Sequence, residues 1–138
     1  MENPFKKGYW LALALPMVGI LGYLGLHFVS YPSTAAIAKQ YLAAIELGDT
    51  AKATQLGTAD CQAHILHRAN EDIDTYGGTE ITNVEVQTSS GQGSNNPVEF
   101  AEIHFEYRRY IDSVPKAGQL TIVTDFEPIG LRKMICSD

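Results

Sequence analysis

The sequence predicts an α+β chain: one N-terminal membrane-spanning helix, then a small domain of three helices packed on one face of an antiparallel sheet of about four strands. Three observations predict it. The stretch from Gly8 to Val29 contains no Asp, Glu, Lys or Arg. From Thr34 to Tyr76 the apolar residues recur at helical spacing, and after Gly78 they alternate with polar ones. Helices followed by a strand meander are the pattern of a sheet covered by helices on one side. The expected organisation is a cytoplasmic N-terminus over residues 1–8, a transmembrane helix over 9–30, a linker over 31–34 and an extramembrane α+β domain over 35–138.

The uncharged stretch comes first. As a helix at about 1.5 Å per residue, Tyr9–Val29 spans roughly 30 Å, the thickness of a bilayer core. A cleaved signal peptide is the rival reading, because Lys6 and Lys7 precede the run and small residues follow it at Ser33, Ala35 and Ala36. The apolar run exceeds the usual signal core of ~7–15 residues, which favours an uncleaved anchor. Lys6 and Lys7 precede the span and no cation follows until Lys39, so the N-terminus is expected in the cytoplasm and the domain on the periplasmic or lumenal side. On a helical wheel Gly8, Ala12, Gly19 and Gly22 fall within about 80° of one another, with Gly25 further round. Small residues let membrane helices approach closely, so this side is a candidate helix-docking stripe; glycine is also simply common in such helices. Pro16 is expected to kink the span.

Pro32 disfavours helical geometry at Tyr31, and Ser33 or Thr34 can cap a new helix. Ile37, Tyr41, Leu42 and Ile45 form its apolar stripe, and Gly48 ends it. Asp49 or Thr50 starts a short helix with Ala53 and Leu56 inward. A third runs to Gly77-Gly78, with Ile65, Leu66, Ala69 and Ile73 as its apolar face. Four strands are expected: "TEITNVEVQTS", "VEFAEIHFEYRRYI", "QLTIVTDFE" and "PIGLRKMIC". A polar loop, "SSGQGSNNP", joins the first pair and "SVPKAG" turns the second. In the longest strand Ala101, Ile103, Phe105 and Tyr107 face one way, and Glu102, His104, Glu106 and Arg108 the other.

The helix ending in "AIELGD", the short "AKATQL" that follows it, and the closing "IGLRKMIC" resemble the nuclear-transport-factor-2-like superfamily, the cystatin-like α+β roll. The resemblance covers about Ser33 to Cys136. It implies a long helix lying in a curved sheet, with a cone between them that can serve as a pocket. Membrane-anchored members are commonly accessory or assembly components, and others are isomerases, dehydratases or epoxide hydrolases. One departure is evident: no short strand separates the second and third helices. None of those enzymes' catalytic residues maps onto this chain.

Charge and motifs narrow the function. From Ser33 onward 15 Asp and Glu outnumber 8 Lys and Arg, a net of −7 that repels a phosphate backbone; no nucleic-acid partner is expected. Cys61 and Cys136 stand 75 positions apart without zinc spacing. They are either two buried thiols or, in an oxidising compartment, one disulfide. His64, His67 and Glu71 share one face of the third helix, opposite the apolar stripe, which reads as a solvated polar face rather than a metal site. His104 and Arg108, with Tyr107, are pocket candidates for a small ligand; the same alternation also describes a charge ladder on a wet sheet face. No GxSxG, phosphate loop or dinucleotide fingerprint occurs, so no catalytic set, metal or cofactor is expected.

Two functions follow as expectations. The first is a non-enzymatic, single-pass accessory or assembly subunit docked on a larger integral membrane protein complex in the lipid bilayer. The second is a membrane-tethered small-ligand binder or enzyme using a pocket of the roll.

Overall fold

The computed structural model describes Pro16, Met17, Ile20 and residues 33–92, 97–125 and 132–136. The chain divides after Tyr31 into two units. In the first, Pro16, Met17 and Ile20 are helical. Gly8, Ala12, Gly19, Gly22 and Gly25, with nearly all of the expected span, lie outside the described residues. Among the described residues no helix is long and apolar enough to cross a membrane. This corrects the expected architecture: the described residues form a small α+β domain with an antiparallel sheet and include no membrane-spanning helix.

The second unit holds the α+β domain. Helix α1 (Thr34–Leu47) begins where the Ser33 hydroxyl accepts the Ala36 N–H at 3.1 Å. It ends where Gly48 takes a left-handed φ of 69°, letting the Asp49 N–H reach the Ala44 carbonyl at 2.8 Å. Asp49 caps α2 (Thr50–Gln55) by accepting the Lys52 N–H. A 3₁₀ turn, Ala59–Cys61, leads into α3 (Gln62–Tyr76). Strands β1 (Glu80–Gln92), β2 (Pro97–Arg108) and β3 (Lys116–Asp125) form an antiparallel meander in the order β1-β2-β3.

Periodicity explains the core. Ile37, Tyr41, Leu42 and Ile45 of α1 are all buried and meet Ile65 and Ala69 of α3. Against them lie Ala101, Ile103 and Phe105 of β2 and Leu120 and Ile122 of β3. Leu66 is 41% exposed, a correction to the expected α3 face. It sits about 100° around the helix from Ile65, and α3 offers the core only a narrow stripe. Tyr76, Phe105 and Tyr107 make edge-to-face and tilted ring contacts, with centroids 4.9–6.3 Å apart.

Among the described residues three strands form where about four were expected. The described part of the last segment, Arg132–Cys136, contributes only Met134, which bridges Thr124 on one side and Gly57 on the other. Its backbone bonds are shared between two neighbours. Ile135 N–H donates to Val123 O at 2.9 Å, while Met134 N–H donates to Leu56 O at 2.7 Å. Cys136 is then held to Cys61 by a disulfide, which turns the segment toward the helices instead of along β3. Arg132 donates to both Thr34 and Glu99, and buried Thr34 meets buried Thr124 at 3.0 Å, so this strap also fastens the start of α1.

The first connection also differs from expectation. β1 continues through Ser89–Gln92, paired residue by residue with Pro97–Phe100, so much of the polar "loop" is strand. Pairing propagates along a hairpin whether or not the side chains are apolar, and the Phe100 ring covers the bare Gly91 backbone. Near its start β1 carries a bulge between Thr82 and Glu85, with Asn83 at φ 52°.

Candidate docking surface

The sheet face turned away from the helices carries a polar ladder. His104 Nε2 lies 3.0 Å from Glu102 Oε1, Gln119 donates to the same carboxylate, Asn83 donates to Glu106 at 2.7 Å, and Arg108 meets Glu80 at 2.8 Å. The three pocket candidates therefore do not converge. His104 and Arg108 stand on this outer face, whereas Tyr107 packs its ring on Tyr76 on the helix side. The interior between α1 and the sheet is filled by Tyr41, Ile37, Ile45, Ile103 and Ile122. His64, His67 and Glu71 are exposed, with His67 3.5 Å from Glu71, and among the described residues no group of side chains could hold a metal ion.

The anomaly lies elsewhere. β2 ends at Arg108, and residues 109–115 turn the chain into β3. Asp112 N–H donates to Arg109 O at 2.9 Å, and Arg109 N–H donates back to the Asp112 carboxylate at 3.2 Å. The turn is thus closed from both sides, and its two central residues, Tyr110 and Ile111, project outward. Tyr110 is 104% exposed, Ile111 88% and Val114 67%. Three large apolar side chains on one short turn, all in water, are unusual for a surface without a partner.

Two cations root this turn on the domain. Arg108 is paired with Glu80, and the Arg109 guanidinium reaches the Thr75 carbonyl at the end of α3 at 3.4 Å. Beside it, a cleft of about 520 Å³ is lined by Glu46, Thr79, Glu80, Arg108, Arg109 and Tyr110. Glu46 ties α1 to the same end of the sheet, its backbone accepting the Gly78 N–H at 3.0 Å. Next to Glu46 the last residue of α1, Leu47, is 74% exposed and borders a second groove of about 420 Å³ between α1 and α2. Residues 108–116 carry Arg108, Arg109, Asp112 and Lys116, a net of +2, in a domain whose total is −7.

Reading "VEFAEIHFEYRRYI" as one strand hid this turn. The available signal was the adjacent pair Arg108-Arg109, which breaks the alternation that ends at Tyr107. Comparison with family models, with curated proteins and with solved structures finds no match for the chain. The resemblance to the nuclear-transport-factor-2-like superfamily therefore rests on the three quoted segments alone.

Proposed function

We propose that this chain is a membrane-associated accessory or assembly subunit whose extramembrane α+β domain docks onto a larger integral membrane protein complex through the 109–115 turn. The exposure of Tyr110, Ile111 and Val114 on a hydrogen-bonded turn carries the reading. Aromatic and aliphatic side chains held rigidly in water lose little entropy on binding and gain full desolvation, as interface anchors do. The uncharged Gly8–Val29 segment supports attachment to a bilayer, with Lys6 and Lys7 on the cytoplasmic side. The Cys61–Cys136 disulfide fits an oxidising, non-cytoplasmic compartment for the domain.

The test is native electrophoresis of gently solubilised membranes carrying the full chain. Co-migration with a larger complex, lost in Tyr110→Ser/Ile111→Ser, is the expected result. Migration of the unmodified chain only at its own mass in detergent would sink the proposal.

A further inference from the structure

The Cys61–Cys136 disulfide joins two unequal halves. Cys61 is 4% exposed and fixed in the 3₁₀ turn, where its N–H donates to the Thr58 carbonyl at 3.1 Å. Cys136, on the Arg132–Cys136 strap, is exposed. A thiolate arriving from solvent therefore meets Cys136 and not Cys61. The buried sulfur is the one equipped to leave. Cys136 N–H donates to Cys61 Sγ at 2.9 Å, and Cys61 stands at the N-terminal end of the 15-residue α3. Negative charge developing on that sulfur gains a hydrogen-bond donor and the positive end of a helix. The strap also has a hold of its own. Thr58 N–H donates to Met134 O, Met134 N–H to Leu56 O, Ile135 N–H to Val123 O and Asp125 N–H to Lys133 O, at 2.7–3.0 Å. Breaking the S–S bond leaves all four hydrogen bonds in place, so the two sulfurs stay side by side.

We propose that this disulfide is a thiol-exchange site on the folded domain, with Cys136 the attacked sulfur, Cys61 the resolving one and a dithiol the reductant. In the first step a thiolate of the dithiol forms an S–S bond to Cys136 Sγ. The Cys61–Cys136 bond breaks, and its electron pair leaves on Cys61 as a thiolate. In the second step the reagent's other thiolate attacks the reagent sulfur of the mixed disulfide and releases Cys136 as a thiolate. Both cysteines then take a proton: the protein has gained two electrons, and the dithiol has become a disulfide. Position selects the dithiol over a monothiol. Cys61, held beside Cys136 by the strap's backbone bonds, re-attacks the adduct of a monothiol and expels it, whereas a dithiol resolves its own adduct first. The inference stands independently of the docking turn.

The test uses the full chain in mild detergent, with thiols counted after acid quenching and alkylation. With dithiothreitol the rate of thiol appearance should rise in proportion to reagent concentration and should not change with urea added below the unfolding transition. A rate independent of dithiothreitol that climbs with urea as global unfolding does would make the bond a staple opened only by unfolding, and would overturn the proposal. With reduced glutathione, peptide mapping of quenched samples should find the adduct on Cys136 at least ~10 times as often as on Cys61. Equal labelling of the two would remove the assigned direction of attack. A third measurement concerns Cys61 itself. In Cys61→Ser the glutathione adduct on Cys136 should persist, whereas in the unmodified chain it should decay as the internal disulfide re-forms. Equal lifetimes would show that Cys61 does not resolve it. The first two measurements need no variant and decide the proposal even if Cys61→Ser fails to fold.

Discussion

The Tyr41 hydroxyl, buried within the core, donates a 2.6 Å hydrogen bond to Asp72 Oδ2 and so ties α1 to α3. Arg68 stands 3.9 Å from the same carboxylate oxygen. Burial pushes the Asp72 carboxyl above the ordinary carboxylate range, partly offset by the Tyr41 hydrogen bond and by Arg68. Burial first, and then the Asp72 contact, push the Tyr41 phenol far above its ordinary value. Both folded values exceed the unfolded ones. Asp72's contribution is therefore complete below the unfolded value of about 3.9 and is lost as pH rises through its raised folded value. Tyr41's is complete below about 10 and is lost as pH rises above that.

Thermal melts of the domain against pH should resolve the two groups. Relative to Asp72→Asn, the unmodified chain should lose stability as pH rises above about 4, through the raised folded value of Asp72. Relative to Tyr41→Phe, it should lose stability above about pH 10. Tyr41→Phe should cost about 1–3 kcal/mol, since it removes the hydrogen bond that ties buried Tyr41 to the partly buried Asp72. Identical pH profiles for all three proteins would show that the pair does not couple stability to protonation.

The disulfide reinforces a segment that backbone hydrogen bonds to Leu56, Thr58, Val123 and Asp125 also hold. Arg132–Cys136 is held by a single-residue bridge at Met134, side-chain bonds of Arg132, and the link from Cys136 to buried Cys61. Its ring closes a separation of 75 residues, which in the chain-entropy model contributes about 4 kcal/mol. Cys61→Ser/Cys136→Ser should lower the urea midpoint by that amount divided by the slope, and reductant should do the same to the unmodified chain. A midpoint unmoved by both would mean that the non-covalent strap suffices.

Two glycines under aromatic rings should respond unequally to alanine. A Cβ at Gly118 would lie 2.5 Å from Phe105, and a Cβ at Gly91 would lie 2.5 Å from Phe100. Phe105 is buried and pinned edge-on by Tyr76 at 5.0 Å, whereas Phe100 is only half-buried. Gly118→Ala should cost about 1–3 kcal/mol as an overpacked core. Gly91→Ala should cost less, because its ring can swing aside. Equal losses in denaturant titrations would contradict this account.

These elements show how far the sequence could be read. Helix α1 was legible residue by residue, because a 14-residue stripe bounded by Ser33 and Gly48 leaves one face to bury. The inward row Ala101, Ile103, Phe105 of β2 was legible for the same reason at period two. Strand ends were not: pairing carried β1 through Ser89–Gln92, which no local preference favours, and stopped β2 at Arg108 despite the β-prone Tyr110 and Ile111. The described part of the last segment is not a strand because its backbone bonds are divided between β3 and Leu56–Thr58, which lie far off in sequence. Exposure of the turn depends on tertiary placement, and alternation at one strand says nothing about it.

The turn itself makes the sharpest prediction about function. Tyr110 and Ile111 contribute almost nothing to the core, so replacing each with serine should change stability by no more than ~0.5 kcal/mol. If they anchor the chain to a partner, the same change should weaken association by at least about 2 kcal/mol, roughly 30-fold. Ile103→Ala, by contrast, should cost about 2–5 kcal/mol of stability, because it empties a fully buried site. Arg109→Glu reverses the sign of a cation that braces the turn against Thr75, and should weaken association with a partner of acidic surface. The measurements are denaturant titration of each variant and its co-migration with the complex on native gels. A Tyr110→Ser/Ile111→Ser chain that is fully stable and still fully assembled would place the docking surface elsewhere on the domain.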